Sequence, residues 1–334
     1  MRAKIVILLI FSALILSSCQ HTLRRYDAHH IGVFDTWVHI VGYAENQAVF
    51  NKQAQHVFDK LEELHKLFDI HQAHDDINNL YLINRYAGIM PIPVDPLITE
   101  LLALSKEAYD ITYGTMDITL GHLIALWKHA ETMPTPDEIQ QALRHANINN
   151  IVLENNMVFL SEEGMMLDVG SIAKGFAAAL ALQSAIDAGL DAVLLSVGGH
   201  VVTHNPPPGR THWNVGIRNP DINTAHDIIG SVQVRNKSVS VSGNSERFLT
   251  IDGIDFGHII NPASGAPANT FLQVTVIHEH SWMADALSTA LFILPFEDGM
   301  ALAQKHDAEA MWIFHDKQQQ YTNGFLNIFN TFND

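Results

Sequence analysis

The chain has 334 residues and a mass of 37.1 kDa, with 47% apolar and 16% charged residues, so it can bury a sizeable core and is not disordered along its whole length. Nineteen Lys and Arg stand against 36 Asp and Glu, a formal net charge of −17; so acidic a surface repels nucleic acid and argues against any general polyanion binder. A single cysteine excludes both a disulfide framework and a cysteine-rich zinc site.

The chain opens Met1-Arg-Ala-Lys4, followed by an apolar run of 12 residues ending at Leu16 and then Ser17-Ser18-Cys19. Two early cations, a short apolar stretch and small residues before a cut site describe an export signal over residues 1–18. The run is shorter than the roughly 20 apolar residues a spanning helix needs. Leu16-Ser-Ser-Cys19 resembles a bacterial lipobox, which implies a Cys19 acylated by fatty chains such as palmitate. The mature protein would then be an exported lipoprotein, held by lipid on the periplasmic side of a bacterial membrane. Loss of residues 1–18 removes Arg2 and Lys4 and leaves 17 cations against 36 carboxylates, a net −19. Residues 19–30 read as a polar tether and residues 31–330 as one domain.

Within that domain, residues 34–43 alternate as a half-buried strand, and Phe50, Ala54, Val57, Leu61, Leu64 and Phe68 give residues 46–68 helical spacing. A second helix is predicted over 95–109, after a Pro91-Ile-Pro93 break, and a short one over 136–145. Strands are predicted at 151–154, 157–160 and 165–169, followed by an Ala-rich helix over 172–188 stopped by Gly189. Short strands then dominate, at 192–197, 200–204, 212–218, 228–234, 238–242, 248–251 and 272–278, with Asn205-Pro-Pro-Pro-Gly209 read as a hairpin loop. Helices over 281–292 and 299–306 close the pattern. The fold class is α+β: one large domain of mixed, largely antiparallel sheets flanked by helices.

Two segments carry the chemistry. In Leu167-Asp-Val-Gly-Ser-Ile-Ala-Lys-Gly175, a strand turns through Gly170-Ser171, with Ser171 as N-cap, into a helix. Such a turn points backbone N–H groups and a positive helix end at a phosphate, and Asp168 and Lys174 could bind a polar ligand there. The alternative is an ordinary capped helix. In Ser281-Trp-Met-Ala-Asp-Ala-Leu-Ser-Thr-Ala-Leu-Phe-Ile-Leu294, Asp285, Ser288 and Thr289 share one face of an otherwise apolar helix. A buried carboxylate needs a partner, and no cation lies within one turn. Mg²⁺ would supply it; so would hydrogen bonds near the helix start. His258, in Gly257-His-Ile-Ile-Asn-Pro-Ala-Ser-Gly265, is a candidate general base near a pocket rim. The pairs His71/His74 and His278/His280 lack a zinc-like spacing and read as solvated. No Gly-x-Ser-x-Gly elbow occurs.

Taken in order, six blocks resemble the FAD:protein FMN transferases, the ApbE-like flavin transferases. They are Thr115-Met-Asp-Ile-Thr-Leu-Gly-His-Leu-Ile-Ala-Leu-Trp127, Leu167 to Gly175, Ser196 to Gly199, Ser242-Gly243, His258 to Gly265 and Ala284 to Phe292. The resemblance runs from about Phe34 to Leu294. It implies a ligand cleft between lobes that takes FAD. It also implies a Mg²⁺-dependent transfer of FMN to a Thr or Ser hydroxyl of an acceptor protein, such as a membrane redox subunit, with release of AMP. By position, Ser171, Asp285, Ser288 and Thr289 match the metal ligands, and Thr115, Met116, Asp117, Asp168 and Lys174 match flavin-nucleotide contacts. Phe34, His258 and Ile259 lie where further contacts are expected; the acceptor hydroxyl would need a base, for which His258, Asp285 and Asp168 are the candidates. Phe34-Asp35-Thr36 stands in place of the usual Met-Gly-Thr, Asn261-Pro262 in place of Asp-Pro, and Ser264 in place of Thr. Two other readings are an FAD pyrophosphatase, with water as acceptor, and a non-catalytic lipid-anchored flavin-binding protein.

Overall fold

In a computed structural model, residues 23–221, 227–244 and 248–332 are described. The export segment and Cys19 lie outside them, and among the described residues no helix is long and apolar enough to cross a membrane. The first strand is a correction. From Arg24 onward the expected tether is a paired strand, β1 (Arg24–Val33), running antiparallel to β2 (Thr36–Ala44). Its polar composition hides an alternation in which Tyr26, Ala28 and His30 face inward, with Tyr26 stacked on Phe50 and His30 on Phe58. Phe34 and Asp35 form the two-residue turn between them, both at left-handed φ (51° and 50°), a conformation usually left to Asn and Gly.

Helix α1 (Gln47–Phe68) starts at an Asn46 side chain that accepts from Val49 N–H, and buries its Phe50, Val57, Leu61 and Leu64 stripe. After α2 (Leu80–Arg85) and the short β3 (Ile92–Pro93), α3 (Pro96–Ile111) is capped by Asp95 with Pro96 at its first position. Next come α4 (Gly121–Lys128), α5 (Pro136–Leu143), β4 (Ile151–Glu154) and β5 (Met157–Leu160). The strand predicted over 165–169 joins no sheet. It is extended chain tied by side chains and loops: Asn84 bonds both the N–H and the carbonyl of Leu167, Gly121 N–H donates to Met166, and Asp168 N–H to Ile118.

Helix α6 (Ala173–Asp187) then leads to β6 (Val193–Val197) and β7 (His200–His204). The Asn205 to Gly209 loop is not a hairpin. It carries the chain from β7 into another sheet, where β8 (Trp213–Arg218) pairs with β9 (Ile228–Val234). β10 (Ser238–Gly243) returns to the first sheet; the hairpins β11 (Phe248–Ile251) with β12 (Ile254–Gly257) and β13 (Ile260–Asn261) with β14 (Ala266–Pro267) follow. The chain ends through β15 (Gln273–His278), α7 (Ser281–Ile293), α8 (Phe296–Lys305), β16 (Glu309–Ile313), β17 (Gln319–Tyr321) and β18 (Phe329–Thr331).

Eight strands in the order β1-β2-β6-β7-β10-β15-β16-β17 make one antiparallel sheet. α1, α6 and α7 cover one face, and the three-stranded sheet β18-β9-β8 packs Trp213, Val215, Ile217 and Val232 on the other. α4 and α5 form a separate apolar cluster with Ile251 and Ile260, fastened by Trp127 Nε1 donating to Gly265 O at 2.8 Å. The α+β expectation holds, with helices on one face and antiparallel strands throughout the later half.

Candidate functional site

The site grows from one close helix crossing. Gly175, on the first turn of α6, lies so near α7 that a Cβ there would fall 2.5 Å from the Ser281 carbonyl oxygen and 2.7 Å from Asp285 Cβ. Only glycine allows this approach. It lets Gly175 N–H donate to Asp285 Oδ2 at 2.8 Å and Gly175 O accept from Ser281 Oγ at 2.6 Å. Asp285 is 4% exposed. Its partner is thus in part the positive end of a neighbouring helix, which the sequence could not disclose because 110 residues separate the two groups.

The other carboxylate oxygen is loosely satisfied. Asp285 Oδ1 accepts from Ser240 Oγ at 3.2 Å, while Lys174 Nζ stands 3.9 Å away and His200 Nδ1 3.7 Å away. His200 Nε2 meets Ser281 Oγ at 2.8 Å. The Ser281 hydroxyl proton goes to Gly175 O, so Nε2 carries the imidazole proton and Nδ1 is a bare acceptor, with no hydrogen-bond partner in the interior. Burial pushes the His200 pKa down to about 4, against the opposing pull of the Asp285 carboxylate, and the Lys174 ammonium lowers it further. Two acceptors, Asp285 Oδ1 and His200 Nδ1, therefore face each other, with the Ser240 hydroxyl on the first and a distant ammonium nearby.

Ser288 sits behind this pair. Its hydroxyl donates to the Asp285 carbonyl at 2.8 Å and meets Ser242 Oγ at 2.9 Å and Ser240 Oγ at 3.2 Å. Those contacts fix the helix on β10 and hold Asp285 in place; Thr289 is half-buried one turn beyond Asp285. Sequence reasoning missed Ser240, Ser242 and His200 as site residues. The available signal was the Ser238-x-Ser240-x-Ser242 alternation, three hydroxyls on one face of a strand otherwise apolar enough to be buried.

Around the α6 start the expected free amides are mostly taken. Ile172 and Ala173 N–H donate to Val169 O, Gly170 N–H to Asp168 Oδ1 at 2.9 Å, and Gly175 N–H to Asp285. Ile172 is the N-cap, not Ser171, and no side chain caps the helix. The positive charge at this turn is therefore that of Lys174, whose ammonium donates to Gly170 O at 2.9 Å.

Asp117 lies beside this turn, because Asp168 N–H donates to Ile118 O at 2.8 Å. Burial raises the Asp117 pKa, opposed by Thr119 hydroxyl and N–H donation to Oδ1 at 2.6 and 2.7 Å. Thr115 is half-buried, whereas the Met116 side chain is 1% exposed within the main core, which leaves its backbone as the part able to meet a ligand. Phe34 packs its ring edge on His65, 5.5 Å between centroids. The neighbouring Thr36 abuts Gly198, which brings the β1–β2 turn to the β6–β7 turn that carries His200. His258 is exposed between β12 and β13 and is not among the partners of Asp285; the adjoining Ile259 side chain is buried in the α7–α8 core. Of the histidines read as solvated, His278 is buried and bonds the His306 carbonyl at 3.1 Å. A surface groove lined by His122, Glu138, Gln141 and His145 lies between α4 and α5 and shares no residue with the Asp285 cluster.

Comparison with known proteins gives this arrangement a family. The profile of the ApbE family matches residues 34–312. The chain is 32% identical over 312 residues to the FAD:protein FMN transferase of Treponema pallidum, covering 86% of each chain. It is 30% identical over 278 residues to one from Klebsiella pneumoniae, covering 81% of this chain and 84% of that one. Among solved structures, the ApbE protein of Thermotoga maritima superposes with a TM-score of 0.82 at 24% identity, covering 91% of this chain and 99% of that chain. The flavin transferase ApbE of Vibrio cholerae gives 0.78 at 20%, covering 92% and 99%; both likenesses speak for the fold. The chain belongs to the ApbE family.

Proposed function

We propose that this ApbE-family protein moves the FMN moiety of FAD onto a Thr or Ser hydroxyl of an acceptor protein and releases AMP, using a divalent cation at Asp285. The observation that carries the reading is the single carboxylate buried where the start of α6, Lys174 and the hydroxyl face of β10 converge. Relatives that share most of the chain's length and carry the name FAD:protein FMN transferase support the reaction class.

The donor set suits a hard cation. Serine hydroxyls neighbour the Asp285 carboxylate, and its Oδ1, which accepts one long bond from Ser240 Oγ, faces the orphan His200 Nδ1 with the Lys174 ammonium 3.9 Å away. Asp285 would hold Mg²⁺ together with Thr289 and Ser171, and Ser240, Ser242 and Ser288 would orient the carboxylate. Bound Mg²⁺ would supply Lewis-acid neutralisation of the diphosphate and of the departing AMP. Lys174 adds a second positive charge on the same side. Asp117 and Asp168, on two stretches joined by the Asp168 N–H to Ile118 O bond, would receive polar groups of the nucleotide.

The step is a displacement at phosphorus. The acceptor oxygen forms a bond to the FMN phosphorus, the anhydride bond to the AMP half breaks, and the hydroxyl proton passes to a base, for which exposed His258 is the candidate. Incubation of the protein with FAD, Mg²⁺ and an acceptor subunit is expected to give a flavin-fluorescent acceptor band on a denaturing gel. Free FMN and AMP with the acceptor unlabelled would assign the reaction to water instead. Tight FAD binding without turnover, indifferent to chelator, would make the protein a carrier.

The leader supports a location for this chemistry. Its cations, 12-residue apolar run and Leu16-Ser-Ser-Cys19 fit export and lipid anchoring at Cys19 on the periplasmic side of a membrane. Intact-mass analysis of membrane-extracted protein tests this: an N-terminus at Cys19 with added acyl mass is expected, and an unmodified Cys19 contradicts it.

A further inference from the structure

Strand β1 presents Arg25, Asp27, His29 and Ile31 on the face turned away from α1, and the β1–β2 register sets His29 directly opposite His39. On that face Tyr43, whose ring lies 6.1 Å from Trp213, and Val41, opposite Asp27, belong to the apolar cluster shared with the second sheet, and the hairpin beyond them is open. His39 is half-buried, and Asp27 and His29 are exposed. The two imidazoles stack nearly parallel, 4.2 Å apart at 9°. Both Nε2 atoms converge on one oxygen: Asp27 Oδ2 lies 3.5 Å from His29 and 4.0 Å from His39, while Asp27 Oδ1 accepts from Arg25 at 3.2 Å. Among the described residues this is the one group of three His, Cys, Asp or Glu residues whose ligand atoms all lie within 4.8 Å of one another.

We infer that the β1–β2 hairpin carries a second metal site, formed by Asp27, His29 and His39, for a borderline transition ion of the Zn²⁺ class. Two imidazole nitrogens and one carboxylate oxygen suit such an ion and not Mg²⁺, which takes oxygens. A tetrahedral ion with bonds of about 2.0–2.1 Å sets its ligand atoms about 3.3 Å apart. The 3.5 Å pair lies near that spacing; closing the 4.0 Å one, and aiming at one ion the two Nε2 lone pairs that now run side by side in the stacked rings, requires the partly exposed imidazoles to fan apart about their side-chain torsions. Arg25 holds the carboxylate from behind, as an outer partner that orients a metal ligand does. The fourth coordination position opens to solvent, and the ion would fasten the edge strand β1 to β2 across the hairpin. No residue is shared with the Asp285 site, so the two proposals stand or fall separately.

The test uses the mature chain without an affinity tag, titrated with Zn²⁺ by calorimetry and with Co²⁺ by visible absorption. With excess Mg²⁺ present to occupy the Asp285 site, one saturable site per chain is expected. His29→Ala and His39→Ala should each weaken it at least tenfold, while Asp285→Ala and His122→Ala leave it unchanged. Circular dichroism checks that each variant is folded. Absence of saturable binding, or binding that survives both hairpin substitutions at full strength, overturns the assignment.

Discussion

Replacing Gly175 with alanine would put a methyl carbon 2.5 Å from the Ser281 carbonyl oxygen and 2.7 Å from Asp285 Cβ. Comfortable contact is about 3.5 Å, so α6 and α7 must part by several tenths of an ångström to roughly 1 Å. Overpacking of this kind costs about 1–3 kcal/mol, and alanine in a helix returns about 1 kcal/mol over glycine. The net loss is about 0–2 kcal/mol, a fall in Tm of a few degrees at roughly 2–4 °C per kcal/mol. Function should suffer more. The same shift stretches the 2.8 Å bond from Gly175 N–H to Asp285 and moves the carboxylate relative to Lys174, and a misplacement near 1 Å costs on the order of 100-fold in rate. Two other glycines calibrate the effect. Gly230→Ala makes a matched 2.5 Å clash with Asn330 O in the second sheet, away from α7, and should lower Tm while folded protein keeps its flavin-transfer rate. Gly299→Ala meets Trp312 at an ordinary 3.5 Å and should be neutral or stabilising by up to about 1 kcal/mol. Rates and melting curves measured together decide the matter. A Gly175→Ala protein that transfers flavin at the wild-type rate, or loses no more activity than Gly230→Ala, refutes the helix-crossing argument.

Further outcomes follow from single contacts. His200 has a folded pKa of about 4 against an ordinary 6.5, so between those values the unfolded chain binds the extra proton. Its contribution is therefore whole above pH 6.5 and falls away as pH drops toward 4, by roughly 3 kcal/mol. Urea unfolding at pH 7.5 and pH 5 should show a smaller difference for His200→Gln than for wild type; equal differences would contradict it. Asn84→Ala removes both bonds to the Leu167 backbone. It should lose about 1–3 kcal/mol and raise the KM for FAD, and an unchanged KM would free that segment from any ligand role. Trp127→Phe leaves the Gly265 carbonyl unpaired between α4 and the β13–β14 hairpin, at about 1–3 kcal/mol, read as a lower Tm.

Elements whose packing matches their local pattern were readable from the sequence. The α1 stripe, the Asp95-Pro96 start of α3, the β4 and β5 strands and the apolar run of α7 all announce themselves through period, cap or composition. β1 did not, because its inward residues include Tyr26 and His30, and because the turn that pairs it, Phe34-Asp35, lacks the Asn or Gly that marks such turns. The loop rich in proline after β7 looks like a hairpin locally, and only the sheet topology shows that it changes sheets. The same limit applies to the site. Asp285, Ser288 and Thr289 fall on one helix face by spacing alone, and Lys174 sits on the next helix start. That Gly175 N–H and Ser240 are the groups that hold Asp285 depends on contacts 110 and 45 residues apart, which no local pattern encodes.

Intact-mass analysis of an acceptor subunit, after incubation with FAD and Mg²⁺, bears most directly on the role given to Asp285. The wild-type protein should add the mass of one FMN less one water and release AMP. Asp285→Ala, folded by circular dichroism, should leave the acceptor unmodified, as should wild type in excess chelator. An acceptor flavinylated at the wild-type rate by Asp285→Ala, or by wild type stripped of divalent metal, would contradict the account.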